Sequence, residues 1–364
     1  PRARFREGVR RSPASRVTPD LSAIVVNHRS GEHAVRCVKS LRSAMETDGL
    51  RGEILLVDCG SGPEEVGRLT EAPAHARLLL AENRGYSGGL NAGLARARSG
   101  RLLLSNADVV FRPGCLRPLL DAAEEGRVGA AAPILFWDAE DRIRLPPGYP
   151  VRFWTDASQL LGRRLPGWKR RFAAFARTSA RLWSDGGDAA QLTGAVLAAR
   201  KDVFDRVGRF DERFPFEFEE TEWEDRIRKA GLRLRVVTAS RARHLWARSA
   251  AAREETSARR GESRRLYRQT RYGPVGRAVL EAMASRPGAA DGAPASEPDV
   301  PARAGASLAI TPNASLLPFA AASLDRDFRL PSDLREALAP GPLFLTTFRD
   351  SDGFPLETRV WVKR

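Results

Sequence analysis

The chain has 364 residues, 42% of them hydrophobic, and a formal net charge of +15. That length suits one large domain with a smaller companion, the apolar content suits a packed core, and no run approaches the roughly 20 apolar residues that span a bilayer. Cys37, Cys59 and Cys115 are the only cysteines and have no paired spacing, which argues against a disulfide framework or a cysteine zinc site and for a reducing cytoplasm.

The first residues lack the charged-then-apolar pattern of a secretory signal. Residues 1–20 carry Arg2, Arg4, Arg6, Arg10, Arg11 and Arg16 beside Glu7 and read as a disordered basic tail. Such an arginine surplus attracts polyanions. An Arg- and Ala-rich genome produces the same balance.

Structure begins at Leu21–Val26, a short apolar run, followed by a loop at 27–31 and a helical pattern with Ala34, Val35, Val38 and Leu41 on one face. Further apolar runs lie at 53–57, 78–80 and 102–104. Runs of this kind alternating with helical stretches predict a mainly parallel sheet with crossover helices, whose ligands bind at the carboxyl strand ends. Asn27, Asp58 and Asp108 fall at such ends. Residues 140–190 are irregular and basic, with Arg163, Arg164, Lys169, Arg170, Arg171, Arg177 and Arg181. A second ordered block spans about 191–246, and 259–284 reads as a basic helical extension. We expect an α/β domain over 21–284, a Pro/Ala/Gly-rich linker over 285–306 and a small, mostly β accessory domain over 307–364.

Several residue patterns carry chemistry. Asp58 suits a contact to a base or ribose, and a turn-capping role serves as well. Asp108 suits a divalent ion that shares its shell with phosphate and water; a strand-end cap is the alternative. The cluster Glu217, Glu219, Glu220, Glu222, Glu224 and Asp225 supplies a candidate general base. Glu222 and Arg226 form an i,i+4 pair, so part of the cluster is a solvated helix face. The glycines of Asn83–Gly93 allow close backbone approach ahead of a helix N-terminus. His244 stands alone after Val236–Val237, and a structural role fits it too.

Together these patterns resemble glycosyltransferase family 2, the GT-A-type nucleotide-sugar transferases, in its rhamnosyltransferase-like branch. Ser22-Ala23-Ile24-Val25-Val26-Asn27-His28 resembles the family's first strand, and Val57-Asp58-Cys59-Gly60-Ser61 its VDNGS segment. Asn83 to Gly93 resembles N-x-G-(F/Y)-x-x-G-x-N-x-G, and Leu104-Ser105-Asn106-Ala107-Asp108 its version of the DxD metal motif. Thr193-Gly194-Ala195 with Gly208-Arg209-Phe210-Asp211-Glu212 is similar to GA…GGFDE. Glu219-Glu220-Thr221-Glu222-Trp223 is similar to ED-x-D-(L/W). His244 falls at the family's late histidine. Cys59, Ala107 and Glu220 stand where the family has Asn, Pro and Asp.

The resemblance implies a GT-A (Rossmann-like) fold and an inverting, metal-assisted transfer of a sugar, rhamnose first, to a glycan or lipid-linked acceptor. It implies donor contacts from Asn27, Asp58, Asn83, Gly85, Gly88, Asn91 and Asn106, and Mg2+ or Mn2+ held by Asp108 with His244. Glu220 is the implied base, with Glu219 positioning the acceptor; Asp211 has a structural role in its turn. A dTDP- or UDP-sugar is the implied donor. The basic stretches fit peripheral contact with anionic lipid at the inner membrane face, at about 1 kcal/mol per basic residue near the surface. They lack the interleaved aromatics of a nucleic-acid reader, so no specific nucleic acid is expected. The competing reading is a non-catalytic nucleotide-sugar or polyanion binder.

Overall fold

The computed structural model describes residues 6–7, 18–71, 76–161, 166–245, 253–284 and 292–364. Most of the expected tail, Arg163, Arg164, Trp246 and residues 285–291 of the expected linker lie outside these. The described chain divides into two compact units, one built from residues 1–134 and 187–267, the other from 135–186 and 268–364.

In chain order the first unit begins with β1 (Arg6–Glu7), β2 (Leu21–Asn27), α1 (Gly31–Thr47), β3 (Gly52–Cys59), α2 (Pro63–Leu69) and β4 (Ala76–Ala81). Next come α3 (Gly85–Leu94), β5 (Arg101–Asn106), β6 (Val109–Phe111), α4 (Leu116–Glu124) and β7 (Val128–Phe136). Residues 135–186 add α5 (Phe153–Leu161) and α6 (Trp168–Ser184). The chain returns through β8 (Gly187–Ala189), β9 (Val196–Arg200), α7 (Lys201–Val207), α8 (Glu219–Lys229) and β10 (Arg233–His244). The long helix α9 (Arg253–Ala284) is broken at Gly273 and Pro274.

The α/β sheet expected from the sequence is present, but it is mixed rather than mainly parallel. Its order is β1-β4-β3-β2-β5-β9-β7-β10-β6, with β8 paired to β10. The strands β4, β3, β2 and β5 are parallel, whereas β9 joins β5 antiparallel. Every residue of β2 is buried, as a strand covered on both faces requires. The face of α1 that carries Ala34, Val35, Val38 and Leu41 is buried.

The register aligns the carboxyl ends of the parallel strands. Asn27 sits opposite Asp58, and Val26 opposite Asn106. The pairing of β10 with β6 then sets His244 opposite Val109.

The second unit completes the chain with β11 (Ala293–Ala295), β12 (Ala306–Thr311), β13 (Ala320–Ser323), α10 (Ser332–Ala337), β14 (Gly341–Arg349) and β15 (Pro355–Lys363). They form the sheet β11-β15-β14-β12-β13, the small β-rich part anticipated at the C-terminus. Two features exceed that expectation. The strand β11 falls within the anticipated linker, and α6 contributes Phe172 and Phe175 to an aromatic core with Phe319, Phe344 and Phe348. A bidentate ion pair joins Arg268 to Asp156, with both side chains 6% exposed.

Candidate active site

The carboxyl end of the parallel strands is preorganised by its own side chains. Asp58 Oδ1 accepts from Asn27 Nδ2 at 2.9 Å and from Ser61 Oγ at 2.5 Å, and Oδ2 accepts from Ser61 N at 3.1 Å. Asn27 Oδ1 in turn accepts from Ser30 N at 3.2 Å. Both Asn27 and Asp58 are buried. The turn-capping reading and the site reading of Asp58 are therefore compatible, because a carboxylate has about four acceptor positions and three are used.

At the end of β5, Asp108 Oδ1 lies 3.2 Å from His244 Nε2, and Asn106 Nδ2 lies 3.5 Å from the same nitrogen. Burial works against ionisation of Asp108. The charge and hydrogen bond of His244, with a lesser effect from His33, nevertheless hold its carboxyl below the usual range. The separation of 3.2 Å fits two protein ligands on one cation. Adjacent corners of an octahedron with 2.1 Å bonds lie about 3.0 Å apart. Among the described residues no third His, Cys, Asp or Glu completes a cluster. A carboxylate and an imidazole would thus share the shell with phosphate oxygens and water, as Mg2+ and Mn2+ prefer.

The helix α3 packs against β2 and β3, and its glycines have packing reasons. Gly85 has φ +78°, and a Cβ there would lie 2.5 Å from Pro215 O. One on Gly89 would meet Val26 and Cys59, and one on Gly93 would meet Ile24. A Cβ on Gly88 would lie 2.7 Å from the Cβ of Arg84. Asn91 holds the 210–212 segment by donating to Phe210 O and Glu212 Oε1, both at 2.9 Å, and accepting from Phe210 N. Asn83 Oδ1 accepts from Gly85 N at 3.2 Å. Asp211 ion-pairs with Arg213 and accepts from its backbone, the structural turn role expected.

Glu219 and Glu220 open α8. Two residues with positive φ precede them, Glu217 at 61° and Phe218 at 70°. Non-glycine residues rarely adopt that conformation unless their surroundings impose it. Here α9 imposes it. Arg260 ion-pairs with Glu217 at 2.7 Å, Ser263 Oγ accepts from Phe216 N at 3.2 Å, and Tyr267 packs on Phe218. Glu219 is 4% exposed. Burial, then the charge of its neighbour Glu220, raises the Glu219 carboxyl well above its ordinary value; burial likewise raises Glu220. Gly194 leaves room for Glu220, since a Cβ there would lie 2.8 Å from its Cγ.

Sequence reasoning missed two contributors. One is Tyr86, whose buried hydroxyl feels the charges of Glu219, Glu220 and Asp108. The other is the first half of α9 as a brace. Tyr86 lay inside the Asn83–Gly93 motif, and the brace had no local signal.

A mixed α/β sheet with a carboxylate and an imidazole at the carboxyl ends of its strands is the architecture of a GT-A glycosyltransferase. The sequence profile of glycosyl transferase family 2 matches residues 22–181. The N-acetylglucosaminyl-diphospho-decaprenol L-rhamnosyltransferase of Mycobacterium tuberculosis is 30% identical over 238 residues, 59% of this chain and 72% of that protein. The succinoglycan biosynthesis protein ExoO of Rhizobium meliloti is 30% identical over 147 residues, 40% of each chain. Among solved structures, the mannosyltransferase PcManGT from Pyrobaculum calidifontis, in complex with GDP-Man and Mn2+, aligns with a TM-score of 0.48 and 16% identity over 77% of this chain and 72% of that one. The chain belongs to glycosyl transferase family 2. It is an enzyme of the glycosyltransferase class, with rhamnosyltransferase homology. Among the described residues no helix is long and apolar enough to cross a membrane.

Proposed function

We propose that the enzyme inverts configuration as it moves a sugar, rhamnose first, from a dTDP- or UDP-linked donor to a hydroxyl of a glycan or lipid-linked acceptor in cell-envelope polysaccharide synthesis. The carrying observation is the Asp108–His244 pair beside Asn106, with Glu219 and Glu220 acting on the same buried region around Tyr86. The name of the mycobacterial relative supports the sugar and the lipid-linked acceptor.

In this reading Asp58 Oδ2, which accepts from Ser61 N, keeps a lone pair for the N3–H of uracil or thymine. Asn27 holds that carboxylate in place. Asn83, Gly85, Gly88 and Asn91 shape the donor side through the loop that they lock. Asp108 and His244 would hold Mg2+ or Mn2+, which when bound would supply Lewis-acid charge at the leaving diphosphate. Glu220 takes the proton of the acceptor hydroxyl as its oxygen bonds the anomeric carbon. The bond to the diphosphate breaks with its electron pair, and this single displacement inverts the centre. Burial raises the Glu220 carboxyl above its ordinary value, which makes its ionised form a stronger base. Glu219, raised further, orients the acceptor.

The enzyme works on the cytoplasmic side. The exposed Lys169, Arg170 and Arg177 of α6, a helix without an acid, favour peripheral contact with anionic lipid. Salt-insensitive binding to phosphatidylglycerol vesicles, or none, removes that contact. The transfer itself is tested with dTDP-rhamnose and a polyprenyl-diphosphate acceptor, reading the anomeric configuration of the product by NMR. Inversion is expected, and a retained configuration contradicts the mechanism.

A further inference from the structure

One group at the site has no work in the reaction as described: the phenol of Tyr86. Its Oη is buried and makes no hydrogen bond, and Glu219 Oε2 and Glu220 Oε2 share both properties. The first turns of α3 and α8 carry these oxygens, and α3 is locked to the segment leading into α8. Ser87 Oγ donates to Phe214 O at 3.0 Å, and Arg84 ion-pairs with Glu212 at 2.5 Å. Gly85 lies so close to Pro215 that no side chain fits between them.

Buried polar atoms are nearly always paired, because leaving one unpaired forfeits its hydration. Three such oxygens, with the phenol within electrostatic reach of both carboxyls, are a set of partners for something polar. Their inventory narrows what that is. A carboxyl oxygen accepts and, when protonated, also donates, and a phenol does both. Burial, then the nearby carboxylates, pushes the Tyr86 phenol well above its ordinary value, so it stays a neutral donor. The complementary ligand carries neighbouring hydroxyls, as a sugar ring does.

We propose that Tyr86 Oη hydrogen-bonds a ring hydroxyl of the bound sugar substrate, beside the hydroxyl that Glu220 deprotonates, and so helps to set which sugar is accepted. The inference rests on the glycosyl-transfer reading above. The ring hydroxyl belongs either to the acceptor or to the donor sugar, and the test separates the two.

Tyr86→Phe keeps the ring and its packing while removing only the orphan oxygen. Two assays are run on wild type and variant: donor hydrolysis without acceptor, and full transfer. An acceptor contact raises the acceptor KM roughly three- to tenfold, the worth of one neutral hydrogen bond, and leaves donor hydrolysis unchanged. A donor contact raises the donor KM in both assays by that factor. With a deoxy analogue lacking the contacted hydroxyl, wild type and variant converge, which a packing role would not produce. Unchanged constants in both assays, or an equal loss on every deoxy analogue, overturn the assignment of Tyr86 and leave the transferase reading intact. Donor turnover absent from wild type with every nucleotide sugar overturns that reading itself, and this inference with it.

Discussion

His244 Nε2 and Asp108 Oδ1 meet at 3.2 Å because antiparallel pairing of β10 with β6 sets His244 opposite Val109, the residue that follows Asp108. Only a long-range strand pairing joins these two residues. If they hold the cation together, each substitution has its own signature. Asp108→Asn is expected to lower metal-dependent donor turnover at least a hundredfold. His244→Ala is expected to raise the metal concentration needed for half-maximal rate about 10- to 100-fold. Titration of Mn2+ against rate measures both, and an unchanged metal requirement in His244→Ala removes it from the shell.

Glu219 and Glu220 make stability depend on pH in a direction opposite to that of ordinary carboxylates. Both are raised in the folded chain, Glu219 by burial and then by Glu220. The folded state therefore favours the protonated forms. Their contribution is fully present below the ordinary carboxylate value of about 4.3 and is lost as pH rises toward the raised values. Glu219→Gln removes the ionisable group. Its Tm should exceed that of wild type at pH 7.5 and converge with it near pH 4.5. A difference that is constant with pH contradicts the assignment.

The same pair predicts a catalytic split. Glu220→Gln should bind nucleotide sugar as wild type does yet lose transfer by about 100- to 10,000-fold, the range of a removed general base. Calorimetric binding alongside initial rates checks it. Retained transfer reassigns the base.

The glycines of α3 test the packing. A Cβ on Gly89 would lie 2.6 Å from Val26 Cγ1 and 2.7 Å from Cys59 Sγ. Gly89→Ala should cost about 1–3 kcal/mol by urea unfolding. Gly100 meets nothing within 4 Å, so Gly100→Ala should stay within about 0.5 kcal/mol.

Much of this site was legible because strand-end chemistry is local. The apolar runs of β2, β3 and β5 end on Asn27, Asp58 and Asn106, and parallel register brings those ends together. The antiparallel entry of β9 beside β5 left no such mark, since a short buried strand reads the same in either direction. Tyr86 was visible as a motif member but not as an orphan, because its isolation depends on how α3 meets Pro215. The role of 135–186 was hidden for a similar reason: Phe172 and Phe175 find their partners well over 100 residues later in the chain.

The second unit carries its own test. Asp156 and Arg268 form a bidentate pair with little exposure of either side chain. Asp156→Ala strands a buried guanidinium and should cost about 3–5 kcal/mol. Replacing both residues with apolar ones should recover much of that loss. Equal destabilisation by the single and double variants contradicts the pairing.

The most direct test of the central claim is release of nucleoside diphosphate from a panel of dTDP- and UDP-sugars, with Mn2+ or with EDTA, for wild type and Asp108→Asn. Release from one donor that needs the metal and disappears in Asp108→Asn is the expected result. Release that survives both EDTA and Asp108→Asn contradicts a metal-assisted transfer at this corner of the sheet.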